Sequence, residues 1–272
     1  PQDYDNWDIE IYYKEKHWDV DHVISMEWIE CGPVMAVLEV KKEFCGCTIN
    51  QKIKFYAQSR RIDFENDIDW TICQHLLKAH FPLDIHTDEA TFDIQFGNVT
   101  RKTHKNTSWD VARFESCGHK WADVSESGFG VSILNDCKYG HSIEDTNVGL
   151  TLLKSGIVPN PTTDQEKHHF TYSLYPHRGD FRAGGVMFEA VKLNQPVLTA
   201  RGDSTACYSY ASVNQPNVML ETVKKAEDGD GTIIRVYEYQ NARTRVVLSF
   251  GERITSAVEC NLLEEEIGTV KV

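Results

Sequence analysis

Residues 121–140 read WADVSESGFGVSILNDCKYG. Phe129, Val131 and Ile133 alternate with Gly130, Ser132 and Leu134, a period of two that predicts a short strand rather than a helix. Polar residues crowd both ends. On this reading Phe129, Val131 and Ile133 fill a core, while Asn135, Asp136 and Gly140 shape an exit loop.

The same alternation recurs outward along the chain. Val34, Ala36, Leu38 and Val40 make one stripe, and Ile53, Phe55 and Ala57 the next. RIDFENDID at 61–69 sets Ile62, Phe64 and Ile68 against Arg61, Asp63, Glu65, Asp67 and Asp69, which predicts a strand wet on one side. Ala90 to Phe96, Val148 to Leu152 and Phe170 to Leu174 continue the pattern, separated by turn-rich stretches such as NDCKYG and GIVPNPTTD. No helical periodicity longer than about two turns precedes residue 185, so the fold class is all-β, with antiparallel sheets packed as a sandwich. The pattern breaks around Asn194-Gln195-Pro196 and resumes after residue 216, with EDGDG at 227–231 as a hairpin turn. A domain boundary is therefore expected in the 196–216 region, giving domains 1–196 and 197–272.

The 272 residues suffice for one large all-β unit or two smaller ones, and no apolar run approaches the roughly 20 residues that span a bilayer. No membrane partner is expected. A net charge of −13 argues against nucleic acid, whose phosphates call for clustered Lys and Arg. The chain opens on PQDYDNWDIEIYY, without a charged-then-apolar leader, so no signal peptide is expected. Eight cysteines lie scattered through the strands and read as reduced thiols. Cys45 and Cys47 read as neighbours on one strand face, packing rather than binding zinc. Asn98-Val99-Thr100 and Asn106-Thr107-Ser108 match the glycosylation triplet, which matters only in a secreted protein.

Candidate chemistry is sparse. Cys117, His119 and Asp123 cluster without a second ligand pair at metal spacing, and the adjacent His168 and His169 point to opposite faces of a strand. Asp63, Glu65, Asp67 and Asp69 read as a solvent-facing strip, not as a carboxylate dyad with tuned pKa values. G-x-S-x-G, G-x-G-x-x-G and the Walker loop are absent. Arg201-Gly202-Asp203 is read as a turn. Tyr175-Pro176-His177-Arg178-Gly179-Asp180 reads as a strand end followed by a loop that presents His177, Arg178 and Asp180 together.

WDIEIYYKEK at 7–16, RIDFENDIDW at 61–70, HKWADVSESGFGVSILNDCKYG at 119–140, FTYSLYPHRGDF at 170–181 and LNQPV at 193–197 together resemble, in order, the C-terminal β region of glycoside hydrolase family 38 α-mannosidases of the bacterial and cytosolic type. The resemblance implies a large mutarotase-like β-supersandwich followed by a small β-sandwich, and a cytoplasmic enzyme acting on mannose-containing oligosaccharides by retaining hydrolysis. It places the zinc of the intact enzyme and its nucleophile in an N-terminal α/β catalytic domain that this sequence does not contain. No catalytic residue and no metal ligand are therefore expected here, and that domain is the expected partner, with self-association through any apolar face its removal exposes. The resemblance also implies that the β region walls the sugar cleft. Lys154, in LLKSG where relatives carry LLRSP, is a candidate for the cleft-facing basic position, without the bidentate fork of Arg. Lys138 and Tyr139 are candidates for the cleft edge, and His177, Arg178 and Asp180 for ligand or domain contact.

Two other functions compete. A free-standing carbohydrate-binding module would bind mannose unaided. An aldose-epimerase-like enzyme would need a buried His and Glu converging, for which His119 or His141 with Glu126 are the pairs close in sequence.

Overall fold

The computed structural model of the chain describes residues 5–203 and 206–272. It divides into two compact units, residues 5–94 with 99–197 and residues 95–98 with 198–272. The first four residues of the expected 1–196 domain lie outside the described residues.

The strands of the first unit are β1 (Val23–Cys31), β2 (Met35–Phe44), β3 (Cys47–Tyr56), β4 (Ile62–Asp69), β5 (His75–Pro82), β6 (Glu89–Ile94) and, apart from its first two residues, which belong to the second unit, β7 (Gly97–Lys102). After a helical turn, α1 (Ser108–Ala112), follow β8 (Ser116–Cys117), β9 (Trp121–Glu126), β10 (Phe129–Asn135), β11 (Gly140–Glu144), β12 (Asn147–Ser155) and β13 (Lys167–Arg178), then helix α2 (Val186–Asn194). Nine strands form one sheet in the order β1-β2-β3-β4-β13-β10-β9-β6-β7, and β5-β12-β11-β8 form a second. The protein is all-β, as the alternation predicts.

The stretch 121–140 supplies the middle of this arrangement: β10 pairs antiparallel with both β9 and β13. Its inner face carries Val131 and Ile133 into a core shared with Ala122, Val124, Phe170 and Tyr172 of the large sheet and with Val148, Leu150 and Leu152 of the small one. Burying a side chain such as Ile133 contributes about 2 kcal/mol. Phe129 departs from the expected core role. It pairs with Arg178 at the end of the strand and is exposed, because the second sheet does not cover it.

The outer face is buried too, which alternation did not reveal. Ser132 and Leu134 are fully enclosed. Helix α2 packs over β10 and β9 with Val186, Met187 and Ala190, and Phe181 stacks on Trp121 at 4.9 Å. Under this cover the chain sets paired polar groups. Asp123 accepts hydrogen bonds from Ser132 Oγ at 2.7 Å and from Ser125, and His177 Nε2 lies 2.7 Å from the same carboxylate. Asp63 takes Arg61 Nε at 2.7 Å, Tyr56 OH at 2.8 Å and Ser173 Oγ at 2.7 Å, and Arg61 continues to the carbonyl of Glu189 in α2 at 3.0 Å.

Three expectations are corrected here. Asp63 is only 4% exposed, so the acidic strip of β4 is wet at Asp67 but closed at the other end by Arg61, Tyr56 and Ser173. Tyr175 to Arg178 are not a loop but the last turn of alternation in β13. Pairing with β4 stops at Leu174, so the sheet has released that edge where Pro176 lacks a donor. Cys45 and Cys47 do not share a strand face: Cys45 (φ +49°) and Gly46 (φ +83°) form the two-residue turn between β2 and β3, leaving Cys45 exposed and Cys47 buried.

The second unit contains β14 (Ala211–Val213), β15 (Val218–Lys225), β16 (Thr232–Glu238), β17 (Leu248–Phe250), β18 (Val258–Cys260) and β19 (Glu266–Thr269), paired as β14-β17, β15-β16 and β18-β19. The hairpin β15–β16 turns through 227–231, where Gly229 and Gly231 have positive φ. Asn98, the first Asn-x-Thr residue, is buried, donating to the Tyr239 carbonyl at 2.6 Å and accepting from Asn241 at 3.0 Å.

Removing Asp63 leaves Arg61 with Glu189 alone, through the longer contacts of 3.0 and 3.5 Å. Asp63→Ala should cost roughly 3 kcal/mol, read as a lower urea midpoint at unchanged m-value. His141, enclosed in β11, supplies a pH limb: burial holds its pKa down at about 4 against 6.5 for the free group, with the charges of Lys78 and Arg101 acting in the same sense. A folded-state pKa below the unfolded one stabilises fully above pH 6.5 and is lost as the pH falls toward 4. His141→Gln should flatten chemical-denaturation stability across that window.

Candidate functional site

The small sheet has four strands and the large one nine, so the two cannot cover each other completely. A cleft of about 1110 Å³ opens between β2–β4 on one side and β5, β11 and β12 on the other, with residues 5–20 laid across it. The covering segment is pinned along its length. Asp5 accepts the backbone N–H groups of Ile157 and Val158 at 2.9 and 2.8 Å, which hold its carboxyl below the usual range, and Asn6 donates to the Asn160 carbonyl at 3.0 Å. Lys14 pairs with Glu144, and the Trp18 ring meets His75 at 5.5 Å.

One wall is aromatic. Phe44 stacks on Trp70 at 6.3 Å, His75 meets both rings edge-on, and Phe64 stacks on Tyr172 at 5.0 Å. Between these rings Gln51 donates to Asn66 Oδ1 at 2.9 Å and lies 3.1 Å from Tyr172 OH.

The opposite wall is ionic. Lys78 on β5 donates to both oxygens of Glu115, at 2.7 and 2.8 Å, and to Thr151 Oγ1 at 2.8 Å. Burial pulls its pKa down against the pull of Glu115. The Tyr13 ring lies 5.6 Å from the ammonium, and burial, then the Glu115 charge, pushes the Tyr13 hydroxyl up to about 12. Lys154 on β12 reaches the same cleft, its backbone N–H held by Asp164 at 3.0 Å and its ammonium donating to the Asp8 carbonyl at 2.6 Å. Burial lowers its pKa, opposed by the charges of Asp5, Asp8 and Asp164.

Of the six residues singled out in the sequence, Lys154 lines this cleft; the other five lie off it. Lys138 sets its ammonium 4.5 Å over the Phe170 ring, and Tyr139 packs against His119 at 5.3 Å. His177 is 2% exposed on the outer face. Its ring is so closely fitted that a Cβ on Gly130 would stand 2.4 Å from it and one on Gly184 2.5 Å. Arg178 is exposed, and Asp180 caps the turn before α2: partial burial opposes its ionisation, but the N–H groups of Ala183 and Arg182 and the Arg182 guanidinium hold its pKa low. His119, His141 and Glu126 are not brought together, since Glu126 accepts from His86 N–H at 2.6 Å while His141 lies against Phe92 and the Tyr139 carbonyl.

Among the described residues no three His, Cys, Asp or Glu side chains converge as metal ligands. The buried Asp123 and His177 do not fit zinc, because the carboxylate is already filled by two serine hydroxyls and the imidazole. Of the carboxylates that line the cleft, Asp5 is engaged by the N–H groups of Ile157 and Val158 and Glu144 by Lys14.

Residues 1–162 match the model of the glycosyl hydrolases family 38 C-terminal domain, and residues 217–272 match the family 38 C-terminal beta sandwich domain. The chain belongs to glycosyl hydrolase family 38. It is 38% identical to alpha-mannosidase G of Dictyostelium discoideum across 96% of this chain and 25% of that protein, and 35% identical to human alpha-mannosidase 2C1 across 97% and 26%. It thus spans about a quarter of the length of these family 38 relatives. An α-mannosidase structure from Enterococcus faecalis V583 superposes with a TM-score of 0.75 at 18% identity, covering 91% of this chain and 33% of that one, which shows a shared fold.

The residues that sequence reasoning missed are Tyr13, Trp18, Trp70, His75, Lys78 and Glu115. Lys78 and Glu115 are 37 residues apart and Thr151 lies another 36 beyond, so no spacing could have announced their meeting. Glu115→Ala should strand the Lys78 ammonium and destabilise by roughly 3 kcal/mol, whereas the paired change Lys78→Met with Glu115→Leu should recover most of that loss; thermal denaturation of the three variants checks it.

Proposed function

We propose that this chain is the C-terminal β portion of a longer retaining, zinc-dependent, cytoplasmic α-mannosidase, in which it supports the catalytic domain and walls the mannoside-binding cleft. The observation that carries the reading is the ordered match to both family 38 C-terminal models by a chain a quarter as long as its α-mannosidase relatives. The cleft chemistry agrees with it. Glu144 in the cleft and Glu115 behind Lys78 are each salt-bridged to a lysine, so these two are not free to act as the acid and nucleophile of glycoside hydrolysis. The attacking carboxylate, the proton donor and the zinc ligands then belong to the N-terminal part of the polypeptide.

The chain's own residues have the tasks of binding and orientation. The Phe44 and His75 rings offer stacking faces, Gln51 offers an amide contact, and Lys154 offers a cation to sugar hydroxyls once a ligand replaces its Asp8 carbonyl partner. A single Lys donates without the planar fork of Arg, so it holds a hydroxyl rather than clamping two.

The test is turnover of an aryl α-mannoside by the isolated 272 residues and by the polypeptide extended with the coding sequence upstream of Pro1. We expect activity only in the extended form, inhibited by chelation of zinc; turnover by the isolated chain would overturn the assignment. In the extended enzyme, Lys154→Met should lower kcat/KM by roughly tenfold or more, the loss of one charge-assisted hydrogen bond. Heat released on titrating the isolated chain with mannose would instead favour an autonomous binding module.

A further inference from the structure

The outermost strand of the large sheet is apolar and uncovered. Every residue of β1 is exposed except Ser25, including Met26 at 59% and Trp28 at 57%. Register places these two on the inner face: Trp28 lies opposite Leu38, which lies opposite Ile53, and Met26 lies opposite Val40, which lies opposite Gln51. Trp28 also meets the Phe55 ring at 5.9 Å, and Val34 stands exposed at the head of β2. Among the described residues the core between the sheets takes no side chain from β1, because the four-stranded sheet ends short of it.

The free edge of β1 is guarded. Register shifts at Val23/Ser25 and Trp28/Glu30 bend the strand, and Glu27 and Glu30 put acids along it. An antiparallel copy of β1 would bring these acids together, in a chain of net charge −13. Bulges and like charges are the devices that block strand addition, so neither a second copy nor a foreign strand fits this edge. The face, by contrast, carries no such guard. It runs without a break into the cleft, since Gln51 in the Met26 row is itself a lining residue.

We infer that the inner face of β1–β3, centred on Met26, Trp28, Leu38, Ile53 and Phe55, is the seat of the N-terminal remainder of the same polypeptide, which packs there through an apolar surface and so brings its reactive groups to the cleft mouth. The size of the occupant follows from the quarter of the relatives' length that this chain spans. A contiguous exposed apolar face of this kind marks an interaction surface. The inference rests on the reading of the chain as part of a longer mannosidase and adds the surface of attachment.

Met26 and Trp28 are both readily oxidised, so hydroxyl-radical footprinting with peptide mass spectrometry reads the face directly. Rates are normalised to an added reporter peptide in the isolated chain and in the extended polypeptide. We expect both residues to react roughly fivefold or more slowly in the extended form, as side chains at an interface centre do, and Trp28→Glu to restore fast oxidation of Met26 there. Equal rates in the two forms would overturn the assignment, as would protection in the isolated chain that grows with its concentration, which would give the face to a second copy. Mannosidase activity measured on the same samples separates the two readings: activity without protection removes the surface alone, and protection without activity removes the mannosidase reading while the surface stands.

Discussion

Nine strands facing four is the constraint from which the functional features of the first unit follow. A sheet face must be covered or wet, and the core shared with the small sheet runs across the large one from the start of β3 through β4, β13, β10 and β9 to β6. Beyond that limit the inner face is first bridged by the segment 5–20, which leaves a cleft, and then left open at β1. Cleft and apolar face are consecutive parts of one surface that the small sheet is too narrow to bury.

The outer face meets the same demand differently. Helix α2 is short, and the side chains beneath it are as much polar as apolar: Asp63 with Arg61, Tyr56 and Ser173, and Asp123 with His177, Ser132 and Ser125. Such clusters carry a desolvation cost that their hydrogen bonds offset, so they add little net stability but penalise any other register of the strands they join. His177 illustrates it. Gly130 and Gly184 leave room for its ring and for nothing larger, so strand, turn and helix fit in one arrangement. A buried His beside Asp and Ser looks catalytic in outline, yet Ser132 Oγ gives its proton to Asp123, and the group is closed to substrate.

Much of the architecture was legible because burial on one sheet face imposes a period of two. Val131 and Ile133, Phe64 and Ile68, and Leu150 and Leu152 follow it. The reading failed where a second layer covers the other face, since Asp63 looks solvent-facing until Arg61, tied to α2, lies over it, and Ser132 until α2 packs on β10. Pro176 looked like the end of a strand because a central strand needs its donors; β13 continues because β4 has already left that side. Helix α2 itself has nine residues, too few for periodicity to declare it, although Gly185 before it and Pro196 after it mark both ends.

By itself the sequence determined the all-β class and the family, because these reside in local spacing and in ordered motifs. Tertiary structure alone decided which polar residues meet. Lys78, Glu115 and Thr151 come together from three distant segments, Lys154 meets Asp8 from 146 residues away, and Trp28 is left bare by the width of another sheet. Chain separation carries no record of such meetings, since they are set by sheet order and register once the core has closed.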